Sequence, residues 1–178
     1  MRQRGIRNEE RGTEKAADLS LVTCSSSLGT LVIGLGNPLL GDEGIGTRVV
    51  GELKELDLPV GVEVVEGGTG GLRLTSLMEG YQRVIIVDAA DMGRPPGCVV
   101  RFTPSQAQFK TEEAPLSLHQ IGLVEALVLA EALEVAPAEV VIIGIQPGRI
   151  EGVVGLSPEV EGAIPQAIRM VLGELDVG

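Results

Sequence analysis

The side chains best suited to chemistry in this sequence are a histidine and a few acidic residues that stand next to expected element boundaries. His119 is the only histidine in 178 residues, so any chemistry that needs an imidazole as metal ligand or proton carrier depends on it. It stands where a helix is expected to begin, a position where a histidine also serves as a packing or capping residue. Ser117 and Gln120 have the spacing of a capping box, which would present His119 from the first helical turn.

Acidic residues follow two of the expected strands. Asp42 and Glu43 lie in a glycine-rich segment after the strand Leu31–Leu35, and Asp88 directly follows the apolar strand Val84–Val87. Because sites in open α/β sheets form outside the carboxyl ends of the strands, Glu43 and Asp88 are expected to meet there. Asp42 and Glu43 suit a cation or an attacking water, or they only complement the dipole of the following helix. Asp88 is equally suited to cap a loop.

Glu43, Asp88 and His119 would together form an incomplete coordination shell of two carboxylates and one imidazole. Such a shell leaves positions for water or for ligands from a substrate, and nickel, zinc or cobalt would all accept these ligand types. No nucleophile is identifiable, so if the site performs hydrolysis the attacking group is a water activated by metal or carboxylate, with Glu43 and Asp88 as candidate catalytic residues. Cys98 has no histidine partner and is predicted to be a packing residue, and Asp91 is predicted to serve the turn that follows it.

Apolar β-branched runs alternate with helix-length patterns from Leu31 onward, which predicts an α/β fold. The predicted strands are Leu31–Leu35, Val62–Val65, Val84–Val87, Val99–Phe102 and Val140–Ile145, and the predicted helices are Gly44–Leu56, Gly71–Glu79, His119–Leu133 and Pro158–Leu172, the last with Ser157 as N-cap. The first, third and last strands carry no charge, which is typical of strands buried on both faces of a parallel sheet. The expected architecture is a three-layer sandwich around a mostly parallel sheet of about five strands, with Val99–Phe102 antiparallel.

Composition narrows the class of protein. A hydrophobic content of 44% predicts one compact domain over residues 31–178. The net charge of −11, the absence of Trp and the 2% aromatic content argue against nucleic acid or an anionic membrane as partner. Two cysteines cannot build a disulfide framework, and the apolar runs are too short for a membrane span or a signal peptide, so a cytoplasmic protein is expected. Residues 1–30 are charged and then linker-like, which predicts an arm that is flexible or docks on a neighbour.

The glycine-rich segments disfavour an organic cofactor. A dinucleotide site after the first strand would need a glycine where Leu39 stands, and the acidic residues that follow would repel a pyrophosphate, although Glu66 lies about where a ribose-binding acid would. The segment Gly34–Pro38 is also similar to the opening of peptidyl-tRNA hydrolases, but those need a further histidine soon afterwards and a basic face, and the chain has neither. Gly67–Gly71 is predicted to be a substrate-binding loop or a permissive turn.

Taken together, the motifs resemble the hydrogenase maturation proteases, which trim the C-terminal extension of the large subunit of nickel-iron hydrogenases. The resemblance runs from about Leu31 to Leu172. The matching motifs are Gly34-Leu35-Gly36-Asn37, Asp42-Glu43-Gly44-Ile45-Gly46, Gly67-Gly68-Thr69, Val87-Asp88-Ala89, Pro96-Gly97, Ser117-Leu118-His119-Gln120-Ile121-Gly122-Leu123 and Gly155-Leu156-Ser157-Pro158-Glu159-Val160. Two features depart from it: Glu66 stands where relatives can have an aspartate, and the arm has no recognisable counterpart.

The resemblance implies an α/β sandwich, an endopeptidase activity and a nickel-iron hydrogenase large-subunit precursor as partner. It also implies that Glu43, Asp88 and His119 bind metal, and that the nickel they sense is supplied in the precursor, with no organic cofactor. A rival hypothesis is a chaperone that senses nickel in the same precursor without cutting it. The sequence does not fix the hydrogenase that is processed, the metal bound in vivo or the oligomeric state.

Overall fold

One mixed sheet organises the part of the chain that the computed structural model describes, residues 28–106 and 118–176. Its strands are β1 (Leu28–Leu35), β2 (Val62–Gly68), β3 (Tyr81–Ala89), β4 (Val99–Phe102) and β5 (Glu139–Ile145), in the order β2-β1-β3-β5-β4. β1 pairs in parallel with β2 and β3, and β3 with β5, whereas β4 pairs with β5 antiparallel. The predicted α/β fold with one antiparallel strand is therefore confirmed.

Helices cover both faces of this sheet. They are α1 (Ile45–Leu53), α2 (Arg73–Met78), α3 (Leu118–Ala132), α4 (Pro158–Glu161) and α5 (Ile164–Leu175), with 3-10 turns at Gly41–Gly44 and Pro104–Gln106. The prediction of one helix over 158–172 is wrong, because the chain breaks into α4 and α5. Gly162 lies at the junction, and Pro165 has no N–H with which to continue the helical hydrogen bonds from α4.

Two cores lie on opposite sides of the sheet, as the uncharged central strands predict. On one side, Ile85 and Val87 of β3 pack with apolar residues of α1 and α5. On the other side, Val84 and Ile86 pack with apolar residues of α2 and α3. Successive residues of β3 therefore face opposite layers, which is the geometry of a strand buried on both faces. In the described ranges, no helix is long and apolar enough to cross a membrane.

An ion-pair network lies near the amino ends of β3 and β5. Arg83 at the start of β3 pairs with Glu139 of β5 (Nε–Oε2 2.9 Å) and with Glu174 of α5 (Nη2–Oε2 2.6 Å). Arg101 of β4 pairs with the other oxygen of Glu174 at 2.9 Å. The network ties α5 to three side chains whose backbones the sheet already holds.

Candidate active site

Glycines allow the turn after β1 to lie close against the carboxyl ends of the central strands. A Cβ atom on Gly46 would lie 2.2 Å from both Leu35 O and Val87 O, and one on Gly36 would lie 1.8 Å from Glu43 O. A side chain at either position would collide with backbone atoms that the sheet and the turn hold in place. The main chain of Glu43 is therefore fixed at the end of β1 and beside the last residues of β3.

Two carboxylates are buried at this edge. Glu43 in the 3-10 turn is 5% exposed, and Asp88 near the end of β3 is 3% exposed. Oε2 of Glu43 and Oδ1 of Asp88 are both shielded from solvent. Acidic side chains are seldom buried unless charge or hydrogen bonding compensates the lost hydration. The structure thus places Glu43 and Asp88 at the carboxyl ends of neighbouring strands.

The first turn of α3 lies at the same edge. A Cβ atom on Gly122 would lie 2.8 Å from Gly71 N in the loop after β2. One turn later, the Thr75 hydroxyl donates a hydrogen bond to Ala126 O at 3.1 Å, which joins α2 to α3. The backbone of His119 belongs to this first turn.

The side chain of His119 and the predicted cap Ser117 lie outside the residues whose positions are described. Within the described ranges, no three His, Cys, Asp or Glu side chains are grouped as a metal site. The assignment of Glu43, Asp88 and His119 as metal ligands therefore stays a prediction.

Asp42 has a different role from its neighbour Glu43. Its fully buried carboxylate accepts hydrogen bonds from the backbone N–H groups of Gly148 (2.9 Å), Arg149 (2.7 Å) and Ser157 (2.6 Å), and from the Ser157 hydroxyl (2.8 Å). Burial alone would raise the pKa of the Asp42 carboxyl, but these hydrogen bonds outweigh it and hold the pKa below the ordinary value. Asp42 is therefore an anchor for residues 147–157, called here the anchored loop, a role that neither alternative from the sequence includes.

Ser157 uses its hydroxyl to bond Asp42 and not to cap its own helix. It occupies the predicted N-cap position of α4, with Pro158 at the start of the helix, but its side chain makes no capping hydrogen bond. Its hydroxyl bonds Asp42 instead. Two backbone hydrogen bonds run alongside, from Gly41 N to Val153 O (2.7 Å) and from Asp42 N to Arg149 O (2.9 Å). The anchored loop is therefore held to the turn that carries Glu43.

Asp91 serves the turn after β3, as predicted. Its Oδ1 accepts hydrogen bonds from Gly93 N (3.2 Å) and from the amide nitrogen of Gln146 (3.1 Å). Gln146 in turn accepts from Met92 N (2.7 Å) and Arg94 N (3.2 Å). Gln146 is not among the residues predicted from the sequence, although a polar residue directly after the apolar strand β5 is a signal for it. Cys98 is half-buried and carries a free thiol.

A groove of about 550 Å³ opens beside the turn that carries Glu43. Its walls come from that turn, from α1, from the end of β2, from the start of α2 and from the anchored loop. They comprise Gly36, Pro38, Gly41, Gly44, Thr47, Arg48, Glu66, Gly68, Arg73, Val154, Gly155 and Leu156. Glu66 pairs with Lys54 at 3.0 Å, and both side chains are exposed. Gly68 lines the groove and has a positive φ of 64°. It is the last residue of β2, so the loop predicted at Gly67–Gly71 begins inside that strand.

Comparisons with known proteins agree with this architecture. The family model described as hydrogenase maturation protease matches residues 47–174. Hydrogenase expression/formation protein HupD of Rhodobacter capsulatus is 36% identical over 147 residues, which cover 82% of this chain and 70% of that protein. The hydrogenase 2 maturation protease of Escherichia coli is also 36% identical, over 82% of this chain and 89% of that protein.

Solved structures show the same likeness. The hydrogenase maturating endopeptidase HybD from Escherichia coli superposes with a TM-score of 0.75 at 34% identity, covering 83% of this chain and 91% of that one. The [NiFe] hydrogenase maturation protease HybD from Thermococcus kodakarensis gives 0.67 at 30% identity, covering 82% and 98%. The fold and the relatives define a peptidase, a hydrolase that acts on protein substrates. The chain belongs to the hydrogenase maturation protease family, as the motifs predict.

Proposed function

We propose that this protein removes the C-terminal extension of a nickel-iron hydrogenase large-subunit precursor after nickel insertion, and that Glu43, Asp88 and His119 recognise the nickel. The observation that supports this most strongly is the burial of Glu43 and Asp88 at the carboxyl ends of neighbouring strands. The first turn of α3, which carries His119, lies at the same edge. A cytoplasmic location is part of the proposal.

The donor set suits a nickel ion that arrives with the substrate. Two carboxylates and an imidazole accept divalent transition metals and leave positions for ligands from the precursor. Recognition of the metal would then hold the cleavage point beside the same carboxylates. Membership of the family disfavours the chaperone that senses nickel without cutting, because the relatives are named as proteases or endopeptidases.

Cleavage requires a water molecule and a group that takes its proton. Glu43 or Asp88 would accept the proton while the water oxygen attacks the carbonyl carbon of the scissile peptide bond. The bond from that carbon to nitrogen then breaks, and the proton passes to the departing amine. A buried carboxylate suits this step because few solvent molecules compete for its oxygen atoms.

The direct test is to incubate the protein with nickel-loaded precursor and with metal-free precursor, and to detect the released C-terminal peptide by mass spectrometry. We expect release only from the nickel-loaded form, because the substrate's metal supplies part of the recognition. Equal release from both forms would contradict nickel recognition and leave the peptidase activity standing. Binding of nickel-loaded precursor without release from either form would support the chaperone.

A further inference from the structure

Five of the residues that line the groove beside Glu43 are glycines. A Cβ atom on Gly68 or Gly155 would meet no protein atom within 4 Å, so main-chain atoms of the wall stay uncovered there. A peptide can approach such a wall closely, because no side chain keeps it away. Gly44 directly follows Glu43 in the chain, so the groove reaches the turn that carries a candidate catalytic carboxylate.

The groove also has a charge opposite to that of the molecule. The chain carries a net charge of −11, but Arg48 and Arg73 line the groove and its only acidic lining residue, Glu66, is paired with Lys54. Arg48 pairs with Glu52 at 3.2 Å and Glu66 with Lys54 at 3.0 Å, and the side chains are too exposed for either pair to be strong. Among the ion pairs of the described residues, Arg73 has none. An isolated cation on an acidic protein selects an anionic group.

Exposed apolar side chains stand on the two chain segments at this side of the groove, and one of them, Val154, lines it. Val154 is 76% exposed and Leu39 is 62% exposed, and Ile150 and Val153 are exposed nearby in the chain. We call these four residues the apolar rim. The hydrogen bond from Gly41 N to Val153 O joins the two segments that carry them. A cluster of exposed apolar residues beside a cleft is typical of a protein interaction site.

We propose that this groove binds the C-terminal segment of the precursor as an extended peptide, with Arg73 pairing to a carboxylate of that segment and the apolar rim contacting its apolar side chains. This inference rests on the proposed function, because the occupant is the piece that the enzyme removes. The chemistry is complementary: a C-terminal segment always ends in an α-carboxylate, and Arg73 is a cation without a carboxylate partner in the described ranges. Arg73 and Val154 would be specificity-determining residues that act on binding and not on the cleavage step.

The test combines one charge-reversal variant and one charge-insertion variant, each with a matched control. Arg73→Glu and Val154→Asp alter the groove and its rim. Arg169→Glu makes the same charge change on an exposed position of α5, and Val60→Asp inserts the same charge at a fully exposed valine just before β2, at the opposite edge of the sheet. We expect each groove variant to raise KM for nickel-loaded precursor about tenfold with kcat nearly unchanged, and each control to leave both constants alone.

A synthetic peptide with the sequence of the precursor's C-terminal extension tests binding separately. The peptide with a free α-carboxylate should bind wild type more tightly than the amidated peptide, and Arg73→Glu should remove that difference. If Arg73→Glu and Arg169→Glu have the same effect, or if Val154→Asp disrupts a dimer of this chain without changing peptide affinity, the groove assignment is wrong. If wild type binds the peptide in this way but releases nothing from the precursor, the proposed cleavage fails and the groove assignment stands.

Discussion

Two carboxylates at opposite edges of the sheet are held ionised by different partners. Near the amino ends, the hydrogen bond from Arg101, together with the nearby charge of Arg83, lowers the pKa of Glu174 despite its burial. At the carboxyl ends, burial opposes ionisation of Asp42, and hydrogen bonds from Ser157 and from backbone amides overcome it. The first carboxylate is neutralised by side chains, and the second is satisfied mainly by main chain.

The difference shows where local geometry depends on a single side chain. Glu174 connects arginines whose backbones belong to strands, so losing it leaves the sheet hydrogen bonds unchanged. Asp42 connects its own turn to backbone groups 106 to 115 residues further along the chain. The anchored loop has few other attachments to that turn. An acid at the amino edge therefore contributes stability, whereas Asp42 also determines the shape of the candidate site.

The largest expected effect is on processing, and it separates the two edges directly. Glu43→Gln and Asp88→Asn keep side-chain volume and remove charge, and His119→Ala removes the imidazole, so each should abolish or strongly reduce cleavage of nickel-loaded precursor. The matched control Glu174→Gln makes the same chemical change at the amino edge and should cleave at nearly the wild-type rate. Cleavage rates and thermal melting should be measured together for all four variants.

These data also decide whether His119 has only a packing role. If His119 has only a packing role, His119→Ala would melt several degrees lower yet cleave at the wild-type rate. If Glu174→Gln lost processing as completely as Glu43→Gln, the distinction between the two edges would fail.

The next largest effect is expected at Asp42. In Asp42→Asn one oxygen becomes an NH₂ group, which faces N–H donors, so at least one buried backbone amide loses its acceptor in either orientation of the amide. We expect a loss of about 2–4 kcal/mol in the free energy of unfolding, measured by urea denaturation, together with slower processing. Ser157→Ala removes only the hydroxyl hydrogen bond and should cost about 1 kcal/mol. Equal losses for Asp42→Asn and Ser157→Ala would show that the backbone amides do not depend on the carboxylate.

The same anchor has a defined pH dependence. Because the folded-state pKa of Asp42 lies below the unfolded value of 3.8, its stabilisation is fully present above that value and is lost as the pH falls through the folded pKa. The stability difference between wild type and Asp42→Asn should therefore be constant near neutral pH and shrink below a pH of about 4. A difference that stayed constant into strong acid would mean that the carboxylate charge is not involved.

The smallest expected effect concerns Glu63, a carboxylate at the amino edge of the sheet that raises the pKa of the tyrosine bonded to it. The Tyr81 hydroxyl donates a hydrogen bond to Glu63, which raises the pKa of Tyr81 from 10.0 to about 12. Tyr81 is the only tyrosine and the chain has no tryptophan, so the phenolate absorbance reports this group alone. Titration should show ionisation above pH 10, and Glu63→Gln should move it back towards 10. Identical titration curves would exclude the hydrogen bond in solution.

How much of the fold and of the candidate site the sequence predicts depends on how far apart in the chain the interacting residues lie. Val99–Phe102 is predicted to the residue and with the correct antiparallel direction, because the preceding turn and the apolar run are local signals. The placement of Glu43 and Asp88 at one edge follows from the general geometry of parallel sheets. The partners of Asp42 are not predictable in this way, since nothing near Asp42 in the chain indicates that Ser157 lies beside it.

The strand order has a consequence for synthesis. β4 contacts the sheet only through β5, which leaves the ribosome later, so β4 has no strand to pair with until Ile145 has been made. The hydrogen-bond partners of the Asp42 carboxylate are synthesised later still: Gly148, Arg149 and finally Ser157. Pairings between distant parts of a chain form slowly because closing the long loop between them costs conformational entropy. All five strands are therefore synthesised before Ser157, so the wall of the groove that the anchored loop provides cannot close until the strands are already available.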